Sequence, residues 1–179
     1  MKSALFVVDV QRNMVEGQWS VPDSEAFLAK FEARIHEARK AGWAVIFVQN
    51  DGPEGDVDEP GSEGWQLWFT PADGERVVRK TTQNVFESNP TLAVELKDAG
   101  IHTIELIGMQ SEYCVQASAR GAKANGFNVL LQPQLHATFH DGTPATNLPG
   151  STYEVSAADL AAKVRADLVA DGILSEEQA

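Results

Sequence analysis

Three residues carry the chemistry that this sequence offers: Asp9, Lys80 and Cys114. Cys114 is the one cysteine of the chain, so it has no intrachain disulfide partner and leaves a free thiol to explain. It follows Gly108-Met109-Gln110-Ser111-Glu112-Tyr113, which reads as a strand-to-helix turn, and it opens a helix predicted over 114–124. A thiol at a helix N-terminus meets unpaired N–H groups and the positive end of the dipole, which predicts a pKa lowered from about 8.5 toward neutrality. A thiolate so placed can attack an acyl carbon, an aspartate can take its proton and return it to a leaving group, and a lysine can stabilise the charge. Each residue also has a plainer reading taken singly: a buried structural cysteine, a turn-capping aspartate, a solvated edge lysine.

Their common position singles them out, and that position comes from the elements around them. Ala4 to Val8 is a continuous apolar run, the pattern of a strand buried on both faces, and it delivers Asp9. Phe27, Leu28, Phe31, Ile35 and Ala38 recur at helical spacing within Asp23 to Ala41, with Asp23 or Ser24 as N-cap and Gly42 past the end. Trp43 to Val48 reads as a second strand ending at Gln49-Asn50-Asp51, and Val77-Val78 as a short third strand that delivers Lys80. Pro90 to Ala99 reads as a helix, Thr103 to Ile107 as a strand, Asn128 to Leu131 as another, and Ser156 to about Ala170 as a last helix. Strands alternating with helices imply βαβ units: an α/β fold, a three-layer αβα sandwich with a mostly parallel central sheet of about six strands. Ligands of such folds bind at the carboxyl ends of the strands, where an acid, a lysine and a thiol arrive together.

Composition bounds the partners. The 179 residues suit one domain over 1–179, and a hydrophobic fraction of 43% argues against disorder. Acidic residues outnumber basic ones 26 to 14, giving a net charge of −12 that repels nucleic acid and anionic lipid alike. Asp9 cuts the first apolar run too short for a signal-peptide core or a membrane span, so the expected location is cytoplasmic.

From Ala4 to at least Phe139 the chain resembles the isochorismatase-like cysteine hydrolases, which include nicotinamidases, carbamoyl-amine hydrolases and streptothricin hydrolase. The resemblance rests on Phe6-Val7-Val8-Asp9-Val10-Gln11, Lys80-Thr81-Thr82-Gln83-Asn84-Val85-Phe86 and Gly108-Met109-Gln110-Ser111-Glu112-Tyr113-Cys114-Val115, whose order and spacing are together specific. It implies a catalytic triad of Asp9, Lys80 and Cys114, a cis peptide between Met109 and Gln110, and an oxyanion hole from the backbone N–H groups of Gln110 and Cys114. It further implies substrate-binding roles for Gln11, Gln49, Trp65, Asn84, Tyr113 and His136, a small-molecule substrate, and assembly as a homodimer or homotetramer. The expected reaction is hydrolysis of an amide, lactam or carbamoyl C–N bond through a thioester. The alternatives are vinyl-ether hydrolysis of the isochorismate type, in which family members rely on the aspartate and can dispense with the thiol, and a noncatalytic or redox-sensing member of the fold.

Nicotinamidases carry histidines for a metal after the second strand, where this chain has Asn50-Asp51-Gly52-Pro53 and no histidine between His36 and His102. His136 and His140 are four apart but sit in a loop-like context without a third ligand, so no metal and no cofactor are expected. Residues 50–75 lack a regular period, and Trp65, Trp68 and Phe69 in this loop predict a pocket wall or a subunit contact.

Overall fold

An apolar run without polar alternation suits a strand covered on both faces, and in the computed structural model Ala4 to Val8 are fully buried within β1 (Lys2–Val8). The structure describes residues 2–139 and 156–175. After β1 come α1 (Arg12–Val15), a 3-10 turn at Gly17–Trp19, α2 (Ser24–Lys40), β2 (Ala44–Asn50), β3 (Arg76–Lys80), α3 (Val85–Ser88), α4 (Leu92–Asp98) and β4 (Ile101–Met109). A π-helical turn at Ser111–Val115 leads into α5 (Gln116–Ala124), followed by β5 (Asn128–Leu130), β6 (His136–Ala137) and α6 (Ala157–Ala170).

The six strands among the described residues form one sheet in the order β3-β2-β1-β4-β5, with β6 also paired to β4, and every pairing is parallel. Side chains of β1 alternate between two cores. Ala4, Phe6 and Val8 pack with residues of α3, α4, α5 and α6, and Leu5 and Val7 pack with Phe31, Ile35 and Ala38 of α2. These are the three expected layers. The chain moves outward from β1 to β2 and β3 and then returns to β4 on the other side of β1, so the strand order reverses between β1 and β4, the place where open α/β sheets bind ligands. Gly108 near the end of β4 permits the close approach there, since a Cβ on it would lie 2.1 Å from the Val8 carbonyl oxygen and its φ is +121°.

Several expectations need correction. The helix after β4 does not open at Cys114: a wider π-helical turn holds residues 111–115, and α5 starts at Gln116. The helix predicted over 90–99 spans Leu92–Asp98. α1, α3 and β6 have four, four and two residues, too few for a hydrophobic period to register. Residues 51–75 hold no helix or strand, but they are pinned over the sheet's end: Arg12 N donates to Gln66 O at 2.9 Å, Asn13 N to Gly64 O at 3.0 Å and Trp68 N to Val10 O at 2.9 Å.

Candidate active site

Asp9 and Lys80 each stand at the carboxyl end of a strand, and the π-helical turn after β4 brings Cys114 to them. Asp9 has φ +49°, a left-handed conformation that breaks the in-and-out alternation of β1. Lys80 closes β3 two strands away, and its long stem spans the end of β2. Its ammonium lies 2.8 Å from Asp9 Oδ2, 3.2 Å from Cys114 Sγ and 2.8 Å from Asn50 Oδ1. Those contacts match the three protons of an ammonium, which fixes its position. Asp9 and Lys80 are each only 1% exposed, whereas Cys114 is partly accessible. The peptide between Met109 and Gln110 is cis, as the resemblance implied, and the Gln110 carbonyl accepts from Tyr113 N and Val115 N, which ties the turn to its own start.

Burial dominates the electrostatics. It pushes the Asp9 carboxyl above its ordinary range, against the opposing pull of Lys80. It works against the charge on Lys80 too, but Asp9 and the thiol together hold that ammonium above the ordinary lysine range. Burial, with the Asp9 carboxylate second, pushes the Cys114 thiol up, with Lys80 opposing. The lowered thiol pKa expected from a helix N-terminus is therefore not found: Cys114 does not open α5, and desolvation with a neighbouring carboxylate raises its pKa. The ammonium touches both the carboxylate and the sulfur, so moving the proton from thiol to Asp9 keeps the net charge of the trio constant and leaves the negative charge beside Lys80. This arrangement suits internal base catalysis, in which no free thiolate need exist beforehand.

Other predicted site residues are brought close but are committed to the framework. Gln11 Oε1 accepts from Asn50 N at 2.8 Å, while Gln11 Nε2 donates to Asn50 O at 3.1 Å and Trp65 O at 2.9 Å. Gln49 Nε2 also donates to Trp65 O, at 2.8 Å. The Trp65 indole donates to Asp51 Oδ1 at 2.8 Å, and Arg79 pairs with the same carboxylate while its guanidinium lies 5.0 Å from the Trp65 ring centroid. Asn84 caps α3, accepting from Phe86 N at 3.0 Å. Tyr113 sits half-buried beside Cys114 in the turn. Asn50 was missed as a site residue, although it holds Lys80 with its oxygen and donates to Asp58 Oδ2 at 2.7 Å with its nitrogen. The only sequence signal was its place at the end of the second strand.

A cleft of about 710 Å³ has Asn13, Trp19, Asn50, Asp58, Gln110 and Phe139 among its walls. None of the trio lines it, but Asn50 bonds Lys80 and Gln110 precedes the turn that carries Cys114. Asn13 Oδ1 and Gln110 Nε2, on residues that line this cleft, and Asp9 Oδ1 are buried without a hydrogen-bond partner. Such atoms are costly to leave unmet. Among the described residues no group of three or more His, Cys, Asp or Glu side chains could hold a metal ion; His140 lies outside those residues.

His136 does not line this cleft. Its ring is buried, Nδ1 lies 2.8 Å from Ser111 Oγ, and it borders a separate cavity with Arg165. Burial and, second, the Arg165 charge push its pKa down to about 4 from 6.5. The unfolded chain then takes up a proton that the folded chain refuses as the pH falls from 6.5 through 4, so this part of the stability is full above 6.5 and is lost below it. Urea unfolding should show the native protein losing about 2 kcal/mol more than His136→Asn between pH 7 and pH 5. Equal losses in both proteins would mean that His136 titrates normally.

Residues 3–148 match the family model for the isochorismatase domain. Two streptothricin hydrolases of Streptomyces noursei are similar: one is 42% identical over 157 residues, covering 87% of this chain and 60% of that protein. The other is 40% identical over 138 residues, covering 76% of this chain and 50% of that protein. The chain thus spans half to three-fifths of the length of these relatives. The crystal structure of an isochorismatase family protein superposes with a TM-score of 0.79 at 26% identity, covering 96% of this chain and 95% of that one.

Proposed function

The chain belongs to the isochorismatase family, and from that premise we propose that it is a cysteine-dependent hydrolase cleaving an amide, lactam or carbamoyl C–N bond of a small molecule through a thioester. The observation that carries this reading is the Lys80 ammonium in simultaneous contact with Asp9 and Cys114. Asp9 takes the thiol proton as sulfur attacks the carbonyl carbon, and the oxyanion is held by the backbone N–H groups of Gln110 and Cys114. Asp9 passes that proton to the nitrogen as the C–N bond breaks, leaving an acyl thioester and a free amine. The carboxylate then takes a proton from water, hydroxide adds to the thioester, and the collapsing intermediate releases the acid and the thiolate, which recovers the proton from Asp9.

Asn13 and Gln110 line the cleft, and each has one unmet polar atom buried behind its wall, an acceptor and a donor that a substrate presenting both N–H and C=O would satisfy once those side chains turn toward it. Gln11, Gln49 and Trp65 act on the substrate indirectly, by fixing Asn50 and the loop over the cleft, and Asn84 acts by capping α3. A thiol held against Lys80 favours covalent catalysis over acid-only vinyl-ether hydrolysis. Among the described residues no helix is long and apolar enough to cross a membrane, and the active assembly is proposed to be a homodimer or homotetramer. Screening the purified protein against amides, lactams, carbamoyl amines and isochorismate tests the reading: turnover of isochorismate alone would overturn it.

Two further results are expected. Lys80→Met removes the positive charge 3.2 Å from the sulfur, so the pH at which iodoacetamide alkylates Cys114 should rise by about one unit or more; an unchanged profile would place Lys80 outside the site. Hydrolysis should survive prolonged chelation, because Asp51, the acid that follows β2, already accepts from Trp65 and pairs with Arg79. A stoichiometric metal lost and regained together with activity would refute this.

A further inference from the structure

At the edge of the sheet opposite β3, beside β6, lies a second cavity of about 320 Å³, walled by Phe27 of α2, Pro133 and the α6 residues Ala158, Ala161 and Ala162. Its polar lining includes His136 and Arg165. The chain has seven arginines, and six of them, Arg12, Arg34, Arg39, Arg76, Arg79 and Arg120, are ion-paired. Among the described residues Arg165 is the exception, with no ion pair, in a chain with nearly twice as many acids as bases. It is 8% exposed, donates from Nε to Leu131 O at 2.9 Å, and keeps a buried Nη2 with no hydrogen-bond partner.

A guanidinium cannot shed its charge as a buried lysine or histidine does, and a buried charge without a partner is strongly unfavourable. That cost is relieved by an anion held against the guanidinium in the cavity that Arg165 lines. The walls of the cavity set the rest of the ligand. Arg165 is the one charged residue in the lining, with a neutral His136 beside it, while Lys30 is held outside the lining on Gln134 and Phe27. That suits one negative charge, and alanine, proline and phenylalanine surfaces favour an apolar body. We propose that this cavity is a binding site for a small organic monocarboxylate, with the carboxylate on Arg165 and the apolar body against Phe27 and the alanines of α6. The site is separate from the cleft beside Cys114 but not isolated from it, because His136 bonds Ser111 in the same turn as the thiol.

Calorimetric titration of the full chain with hexanoate, hexan-1-ol and inorganic phosphate tests this. Hexanoate should bind at least about tenfold more tightly than either hexanol, which lacks the charge, or phosphate, which lacks the apolar body. Arg165→Gln should weaken hexanoate at least about tenfold and leave hexanol unchanged. Arg165 also bonds the Leu131 carbonyl, so Ala158→Trp serves as a second variant: position 158 is exposed and the indole fills the cavity, and hexanoate binding should be lost. Cys114→Ala should bind hexanoate as the native protein does, whether or not the proposed hydrolysis is correct. The proposal is overturned if hexanoate fails to bind at low-millimolar concentration, if it binds no better than hexanol or phosphate, if it survives both cavity substitutions, or if it is lost in Cys114→Ala.

Discussion

Cys114→Ala should lower hydrolysis by at least about 10⁴-fold, because no other group can form the thioester. The fold should persist. Cys114 lies in the turn between β4 and α5 and packs only at the margin of the larger core, so alanine removes a thiol whose burial already works against its ionised form. Thermal melting should be unchanged or slightly raised, as expected when a functional group held in an unfavourable setting is deleted. Substantial activity remaining toward an amide substrate would remove the covalent mechanism, since a solvent nucleophile directed by Asp9 alone would then suffice.

Asp9→Asn should be nearly as damaging to turnover, about 10³-fold or more, because the amide can neither take the thiol proton nor deliver it to the leaving nitrogen. The same substitution should move thiol reactivity the opposite way. The Asp9 carboxylate pushes the Cys114 thiol up and Lys80 pulls it down; with the carboxylate gone and the ammonium still 3.2 Å from the sulfur, the thiol should alkylate at a lower pH than in the native protein. A dead enzyme with a more reactive cysteine is the distinguishing result. A mild loss of activity would mean that Asp9 merely terminates β1. Set beside the upward displacement expected for Lys80→Met, the pair of variants separates the proton acceptor from the fixed charge.

Long, strongly patterned segments were legible before any coordinates. β1, β2, β4, α2 and α6 declare themselves by continuous apolar runs or helical spacing, and from their alternation the parallel sheet follows. The convergence of Asp9, Lys80 and Cys114 was legible for the same reason, since strand ends of a parallel sheet share one edge. The state of the thiol was not. A helix-dipole argument assumes that the N-terminus faces solvent, and in the fold Cys114 meets a buried carboxylate through a π-helical turn that no local signal announces. Asn50 and Asp58 were hidden because a polar residue at a strand end or in a loop looks alike whether it holds an ammonium or faces water. The same limit applied to Glu105, buried in β4, whose carboxylate is satisfied by Arg34 at 2.6 Å and Gln132 at 2.7 Å, partners 71 and 27 residues away. His136 was expected at the substrate and lies instead behind the turn, against Ser111, because the two-residue strand β6 that orients it is too short to read.

The covalent step can be observed directly. The protein is mixed with a substrate that it turns over, quenched in acid within the turnover time, digested with trypsin, and the peptide Asp98–Arg120, which contains Cys114, is weighed. A mass increase equal to the acyl group, localised to Cys114, removed by hydroxylamine and accumulating when deacylation is slowed, is the predicted result. Continued turnover with Cys114 unmodified at every quench time, under conditions that make deacylation rate-limiting, would contradict it.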